Sequence, residues 1–397
     1  MGARERKGFI AWCKETVSTR RARWLSAGAG VLFLGLVMSY FVVAARNGND
    51  AGRVVVDYSA VVQVMRPTPH PFSPVADAYY EEYAPVYTGP VAMLTGLPLD
   101  EAYRYRRPIA VVVNNLFAAL PQSGLSYADV IYEVLAEGNI TRLIAIFQSQ
   151  MPEVVGPVRS TRNYFAPMAM NHDAFLVHHG GSDAGYARIR ELGTEALDGM
   201  RLANVFWRDR TFPAWAGRTG QRGVEHSSFT GWPQIYTHIT ARDMRYYVQT
   251  ADTGFAFGGV PANITPLGTA ERVYVPFSRE YERRFVFRPY YNDYLVYNPR
   301  GPHVDALTDG GQLTVRNVLV QLTTMRVIDN EGRRNVDLVG YGRGYLFTMG
   351  QQFAVRWEKS ALDTPMRWQF ECGTPLQLPA GTTWICVLQA GAVVLTS

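Results

Sequence analysis

Arg107-Pro108-Ile109-Ala110-Val111-Val112-Val113-Asn114-Asn115 is the stretch that sets the fold. A proline breaks what precedes it, an apolar and mostly β-branched run follows, and two asparagines end it. A run this short and this β-branched reads as a strand. Working outward, residues 129–135, 143–147 and 174–177 read as further strands. Between them, 164–170 and 186–192 are helix-compatible, the second preceded by Ser182 and Asp183 as cap candidates. Residues 91–258 are therefore expected to form a mixed sheet with helices packed against it.

The pattern changes from Ala270 onward. Closely spaced strand candidates follow, at 272–275, 284–287, 294–297, 318–327, 345–347, 353–357 and 383–388, punctuated by Gly332, Gly342, Gly344, Gly350, Gly373 and Gly381. Residues 259–397 are thus expected to be a mostly β domain. An aromatic content of 13% suits that architecture, and the overall class is α+β. No repeat of solenoid length is present.

Upstream, Leu25 to Ala45 holds no formally charged residue, which matches the ~20 residues of a membrane-crossing helix. Arg4, Arg6, Lys7, Lys14, Arg20, Arg21 and Arg23 precede it. The positive-inside rule then keeps residues 1–23 in the cytoplasm, with 24–45 as a spanning helix. Prolines 67, 69, 71, 74, 85 and 90 make 46–90 a stalk. The expectation is a single-pass membrane protein whose bulk is extracytoplasmic. A cleaved signal peptide is the rival reading, and the apolar run is long for one.

The formal charge of +5 lies entirely in that basic tail; the remaining basic and acidic residues cancel. The folded part lacks the basic footprint of a nucleic-acid binder. Cys372 and Cys386, on the oxidising side, can form one disulfide if their Cα atoms come within about 7 Å; two separate buried thiols are the other reading.

Gly156-Pro157-Val158-Arg159-Ser160-Thr161-Arg162 carries the sharpest chemistry. Ser160 or Thr161 can cap the helix that follows, while Arg159 and Arg162 bracket its start and Arg142 can converge from the preceding strand. Free amides and guanidinium forks favour a phosphate or carboxylate. The plainer reading is an ion-pair network with Asp129, Glu133 and Glu137. In His178-His179-Gly180-Gly181-Ser182-Asp183, strand alternation lets only one histidine face a given pocket. His178, His179, Asp183 and His226 are weak catalytic candidates. Thr211 to Gly223 is long enough for a binding loop or lid, with His226 and Ser227 otherwise only starting the helix near Pro233. His303 and Asp305 are expected to make local turn bonds. No metal site, cofactor motif or established catalytic signature is present.

Residues 95–99, 107–115, 121–125, 128–133, 138–147, 156–162, 178–182 and 206–209, followed by 317–320, 342–344 and 381–384, together resemble the YerB-like family. The resemblance spans about residues 94 to 390. It implies two successive domains, the first α+β and the second β, in extracytoplasmic proteins that are commonly lipoproteins, and it brings no catalytic residues. This chain departs at Glu225-His226-Ser227, where the family has Pro-His-Asn, and in reading as helix-anchored rather than lipidated.

The preferred expectation is a cell-envelope protein binding an anionic small molecule or envelope glycan through Arg142, Arg159 and Arg162, with a protein partner on the β module. The alternative is a hydrolase or transferase acting on phosphate-linked envelope glycans, similar in anchoring to the LytR-CpsA-Psr transferases, whose arginine and aspartate motif is not reproduced. A scaffold without a small ligand is the third reading.

Overall fold

The computed structural model describes residues 88–397. The basic tail, Leu25–Ala45 and nearly all of the Pro-rich stalk lie outside the described residues. No helix among the described residues is long and apolar enough to cross a membrane.

The first half contains helix α1 (Glu101–Arg104) and strands β1 (Ile109–Asn114), β2 (Val130–Leu135) and β3 (Thr141–Phe147). Helix α2 (Phe165–Met170), β4 (Phe175–His178), α3 (Asp183–Leu192) and β5 (Ala196–Asp198) follow. Then come β6 (Trp207–Arg208), β7 (Ser228–Phe229) and α4 (Trp232–Ala241). All six residues of β1 are buried, because it lies between β3, antiparallel, and β4, parallel, with Ile109 opposite both Phe147 and Phe175. Ser182 caps α3 by accepting from the Gly185 amide at 3.1 Å, and Gly193 ends it at φ 60°. Helix α2 starts later than expected: its N-cap is Tyr164, with no side-chain cap bond. Ser160 and Thr161 therefore do not cap it; the Thr161 amide instead bonds the Gly180 carbonyl.

The second half is nearly all strand: β8 (Gly268–Thr269), β9 (Arg272–Pro276), β10 (Glu282–Arg288), β11 (Asp293–Asn298), β12 (Gly301–Pro302), β13 (Val304–Asp305), β14 (Gly311–Gln312) and β15 (Thr314–Val315). They are followed by β16 (Asn317–Thr323), β17 (Met325–Val327), β18 (Arg334–Val336), β19 (Gly340–Thr348), β20 (Gln351–Lys359), β21 (Arg367–Phe370), β22 (Thr383–Gln389) and β23 (Leu395–Thr396). The expected strand over 318–327 is broken at Thr324 into β16 and β17.

Both halves contribute to one mixed sheet of eleven strands among the described residues, ordered β21-β20-β19-β16-β22-β2-β3-β1-β4-β5, with β8 on β20. β22 joins the halves. It runs parallel to β2, with Thr383 opposite Val130, and parallel to β16, with Thr383 opposite Asn317. Burial on both faces explains its continuous apolar core, Trp384 to Leu388. A second sheet, β12-β11-β10-β9-β23 with β15 on β11, alternates buried and half-buried residues. The disulfide does not form: Cys386 is buried in β22 while Cys372 is exposed, and both are free thiols.

Candidate functional site

A carboxylate in an apolar strand needs partners, since an unpaired buried charge is costly. Glu133, on β2 and 1% exposed, receives Arg283 Nε and Nη2, both at 2.8 Å. Thr141 Oγ1 at 2.8 Å, Asn115 Nδ2 at 3.1 Å and Trp384 Nε1 at 3.2 Å complete its shell. Arg283 also donates to His303 Nδ1 at 2.5 Å. A guanidinium only donates, so the His303 proton sits on Nε2, which faces Gln122 Oε1 at 2.8 Å. Gln122 Nε2 donates onward to Asn115 Oδ1 at 3.1 Å, and Asn115 returns to Glu133. The ring of bonds is closed. Burial first, and then Arg283, push the His303 imidazole well below its usual pKa. Asp305 makes the expected local bond to the Leu307 amide at 2.8 Å. It also accepts from the Gly124 and Ser126 amides at 2.8 Å each, tying the halves together.

Of the three arginines expected to converge, two meet and one turns away. Arg142 Nη2 and Arg162 Nη2 both meet Glu137 Oε1, at 2.6 and 2.7 Å. Burial opposes ionisation of Glu137, but the guanidiniums of Arg142 and Arg162 outweigh it and bring its pKa down to about 2. Asp129 meets neither arginine; it accepts from the Gln148 and Ser149 amides at 2.6 and 2.8 Å. Burial is the chief cause that raises its pKa to about 6. Glu133 is taken by Arg283. Of the three carboxylates, Glu137 alone bonds these arginines, and Arg142 and Arg162 share it.

Arg159 points elsewhere. Its Nη1 donates to the Glu225 carbonyl at 2.8 Å. Arg208, on β6, donates through Nη1 to the adjacent carbonyl, Val224, at 2.7 Å. Neither forms an ion pair among the described residues. Arg208 Nη2 also reaches His179 Nε2 at 2.9 Å, while His179 Nδ1 lies 2.8 Å from Ser228 Oγ on β7. Nε2 must accept from the guanidinium, so Nδ1 carries the proton and donates to the serine. Burial, then Arg208, lower the His179 pKa and keep the ring neutral. Ser160 Oγ closes this side by bonding the His179 carbonyl at 3.2 Å.

His226 sits in a 3-10 turn, Val224–His226, not at the start of α4, whose N-cap is Gly231. Its Nδ1 accepts from Asn114 Nδ2 at 2.8 Å, and its Nε2 faces Glu225 Oε1 at 3.4 Å. Burial, with Arg159 and Arg218 against Glu225, lowers its pKa. The loop Thr211 to Gly223 is pinned from within. Arg218 Nη1 donates to the Phe117 and Leu120 carbonyls at 2.9 and 2.6 Å, and Arg222 Nη2 to the Pro121 carbonyl at 3.1 Å.

His178 faces away from His179: buried, its Nδ1 bonds the Gly180 carbonyl at 2.8 Å. Asp183 lies exposed in the first turn of α3. Arg208, Arg283, Gln122 and Asn115 complete arrangements that sequence reasoning did not assemble. Two signals pointed to them: a glutamate inside the apolar run 130–135, and the asparagine pair that ends β1.

Residues 94–245 match the N-terminal domain, and 273–385 the C-terminal domain, of a family described as "Protein of unknown function (DUF3048)". The chain is 32% identical over 309 residues to "Putative lipoprotein YerB" of Bacillus subtilis (strain 168), covering 75% of this chain and 86% of that protein. It also resembles the crystal structure of YerB protein from Bacillus subtilis, with a TM-score of 0.66 and 30% identity over 77% of this chain and 100% of that one. The expected single-pass membrane arrangement is corrected by these findings. No described helix can cross a membrane, and the relative is named a lipoprotein, so a spanning helix is not supported. With both domain matches in order and a relative aligned over three quarters of this chain, the chain belongs to the YerB-like DUF3048 family.

Proposed function

We propose that this chain is an extracytoplasmic envelope protein that binds a phosphate- or carboxylate-bearing ligand at Arg159 and Arg208, the second held in place by His179. One observation carries the reading: two guanidiniums are held on the neighbouring carbonyls of Val224 and Glu225 with no ion-pair partner among the described residues. Like charges brought together with no carboxylate in ion-pair contact favour an anion that accepts from both forks. Burial lowers the pKa of Arg159 first; Glu137 and Glu225 offset this in part, and Arg162 and Arg208 add to it. The lipoprotein name of the relative supports a place at the envelope. Binding is favoured over the hydrolase or transferase reading because both ring nitrogens of His179 are already engaged.

Isothermal titration of the full chain with inorganic phosphate at low ionic strength tests this. Arg159→Gln and Arg208→Gln are each expected to weaken binding by about tenfold, the loss of one charge-assisted contact, while Tm stays within a few degrees. Phosphate binding that persists unchanged in the double variant would overturn the assignment.

A further inference from the structure

An open groove of about 320 Å³ lies between the segment after β1, the loop around Trp215 and the β11–β12 hairpin. Its polar side chains are Arg218, Arg300, Asn298 and His303, and the Asn298 Oδ1 is taken by the Arg300 amide at 2.8 Å. Arg300 lies 4.3 Å over the Phe117 ring, which stacks in turn on Tyr281 at 4.9 Å and 5°. The Arg300 guanidinium is thus held by stacking, with no ion pair among the described residues, and its N–H edge stays available. Arg218 spends only Nη1 on backbone carbonyls and lies 4.3 Å over Phe212. Trp215 is 42% exposed and rests on Gly310, where φ is +86° and an added Cβ would stand 3.2 Å from the indole ring. His303 contributes to the floor, yet both its nitrogens are committed to Arg283 and Gln122. No aspartate or glutamate lines the groove.

From this lining we infer that the groove binds an acidic saccharide, a pyranose bearing a carboxylate or phosphate. A pyranose has a face of C–H groups that packs on an aromatic ring, and oxygens around its edge that accept hydrogen bonds. Trp215 supplies the ring, and Arg300 and Arg218 supply forks for the anionic group. The volume is at the low end for small-molecule sites and suits one or two sugar rings. A groove without acidic side chains imposes no repulsion on an anion. The assignment uses neither Arg159 nor Arg208 and stands or falls separately from the phosphate site.

The test titrates the full chain with glucuronate, glucose 1-phosphate, glucose and inorganic phosphate, in wild type, Trp215→Ala, Trp215→Phe, Arg300→Gln and the Arg159→Gln/Arg208→Gln double variant. At least one acidic sugar is expected to bind about tenfold or more tightly than glucose. Trp215→Ala and Arg300→Gln should each weaken it about tenfold with Tm unchanged within a few degrees, Trp215→Phe should retain most of the affinity, and the double variant should keep the Trp215-dependent binding event, losing only any weaker event at the phosphate site. The carboxylate and phosphate sugars report which anion the groove prefers. Absence of acidic-sugar binding, binding indifferent to Trp215 and Arg300, or loss confined to the double variant would each overturn the inference. Inorganic phosphate binding that survives in Trp215→Ala and Arg300→Gln is the expected sign that the two sites are distinct.

Discussion

Arg283 and Glu133 are 150 residues apart in sequence and meet through two 2.8 Å hydrogen bonds, each side chain 1% exposed. They connect β10 of the second sheet to β2 of the first, at the point where the Trp384 indole also reaches the carboxylate.

Removing one partner leaves the other buried and charged. Arg283→Met is therefore expected to cost about 3–5 kcal/mol, read by urea denaturation. The Arg283→Met/Glu133→Leu double variant should cost less than the two single variants together, because no lone charge remains. A single-variant loss below about 1 kcal/mol would show that the pair contributes little.

Acid should weaken the fold through Glu137. Its folded pKa of about 2 lies below the ordinary 4.5, so the stability it contributes is complete above pH 4.5 and drains as pH falls toward 2. The difference amounts to about 3 kcal/mol. Glu137→Gln should remove that share, with wild type and variant converging at the acid end. Parallel stability curves from pH 2 to 6 would contradict it.

Alkali acts in the opposite sense on Lys359. The ammonium is buried, bonded to Asn171 Oδ1 at 2.6 Å and to the Thr364 carbonyl, and burial pushes its pKa down to about 8 from 10.5. The folded chain sheds this proton first, so stability from this group rises between pH 8 and 10.5, by up to about 3 kcal/mol. Wild type should gain on Lys359→Met across that window in guanidinium melts. A constant offset between the two would refute the shift.

Local elements were legible in the sequence where a local cause sets them. β1 is bounded by Pro108 and Asn114, and α3 is fixed by Ser182 and Gly193. Pairing across the sheet was not, because nothing in residues 383–389 states that their neighbours are 130–134 and 317–323. The site divided the same way. The Gly156–Arg162 segment, His179 and His226 were visible as chemistry-bearing, while Arg208 stood only within a stretch of family likeness. Which partner each guanidinium meets depends on side-chain direction after folding: two residues separate Arg159 from Arg162, yet one turns to the Glu225 carbonyl and the other to the Glu137 carboxylate.

The place of β22 between β2 and β16 bears on biosynthesis. While a ribosome still holds residue 383, β2 and β16 each present a bare edge, and neither can zip shut on a neighbour already made. A nonsense codon at Thr383 would spare every residue of the Arg159 cluster and the Trp215 groove, yet release a polypeptide with two sticky borders, prone to aggregate or be proteolysed.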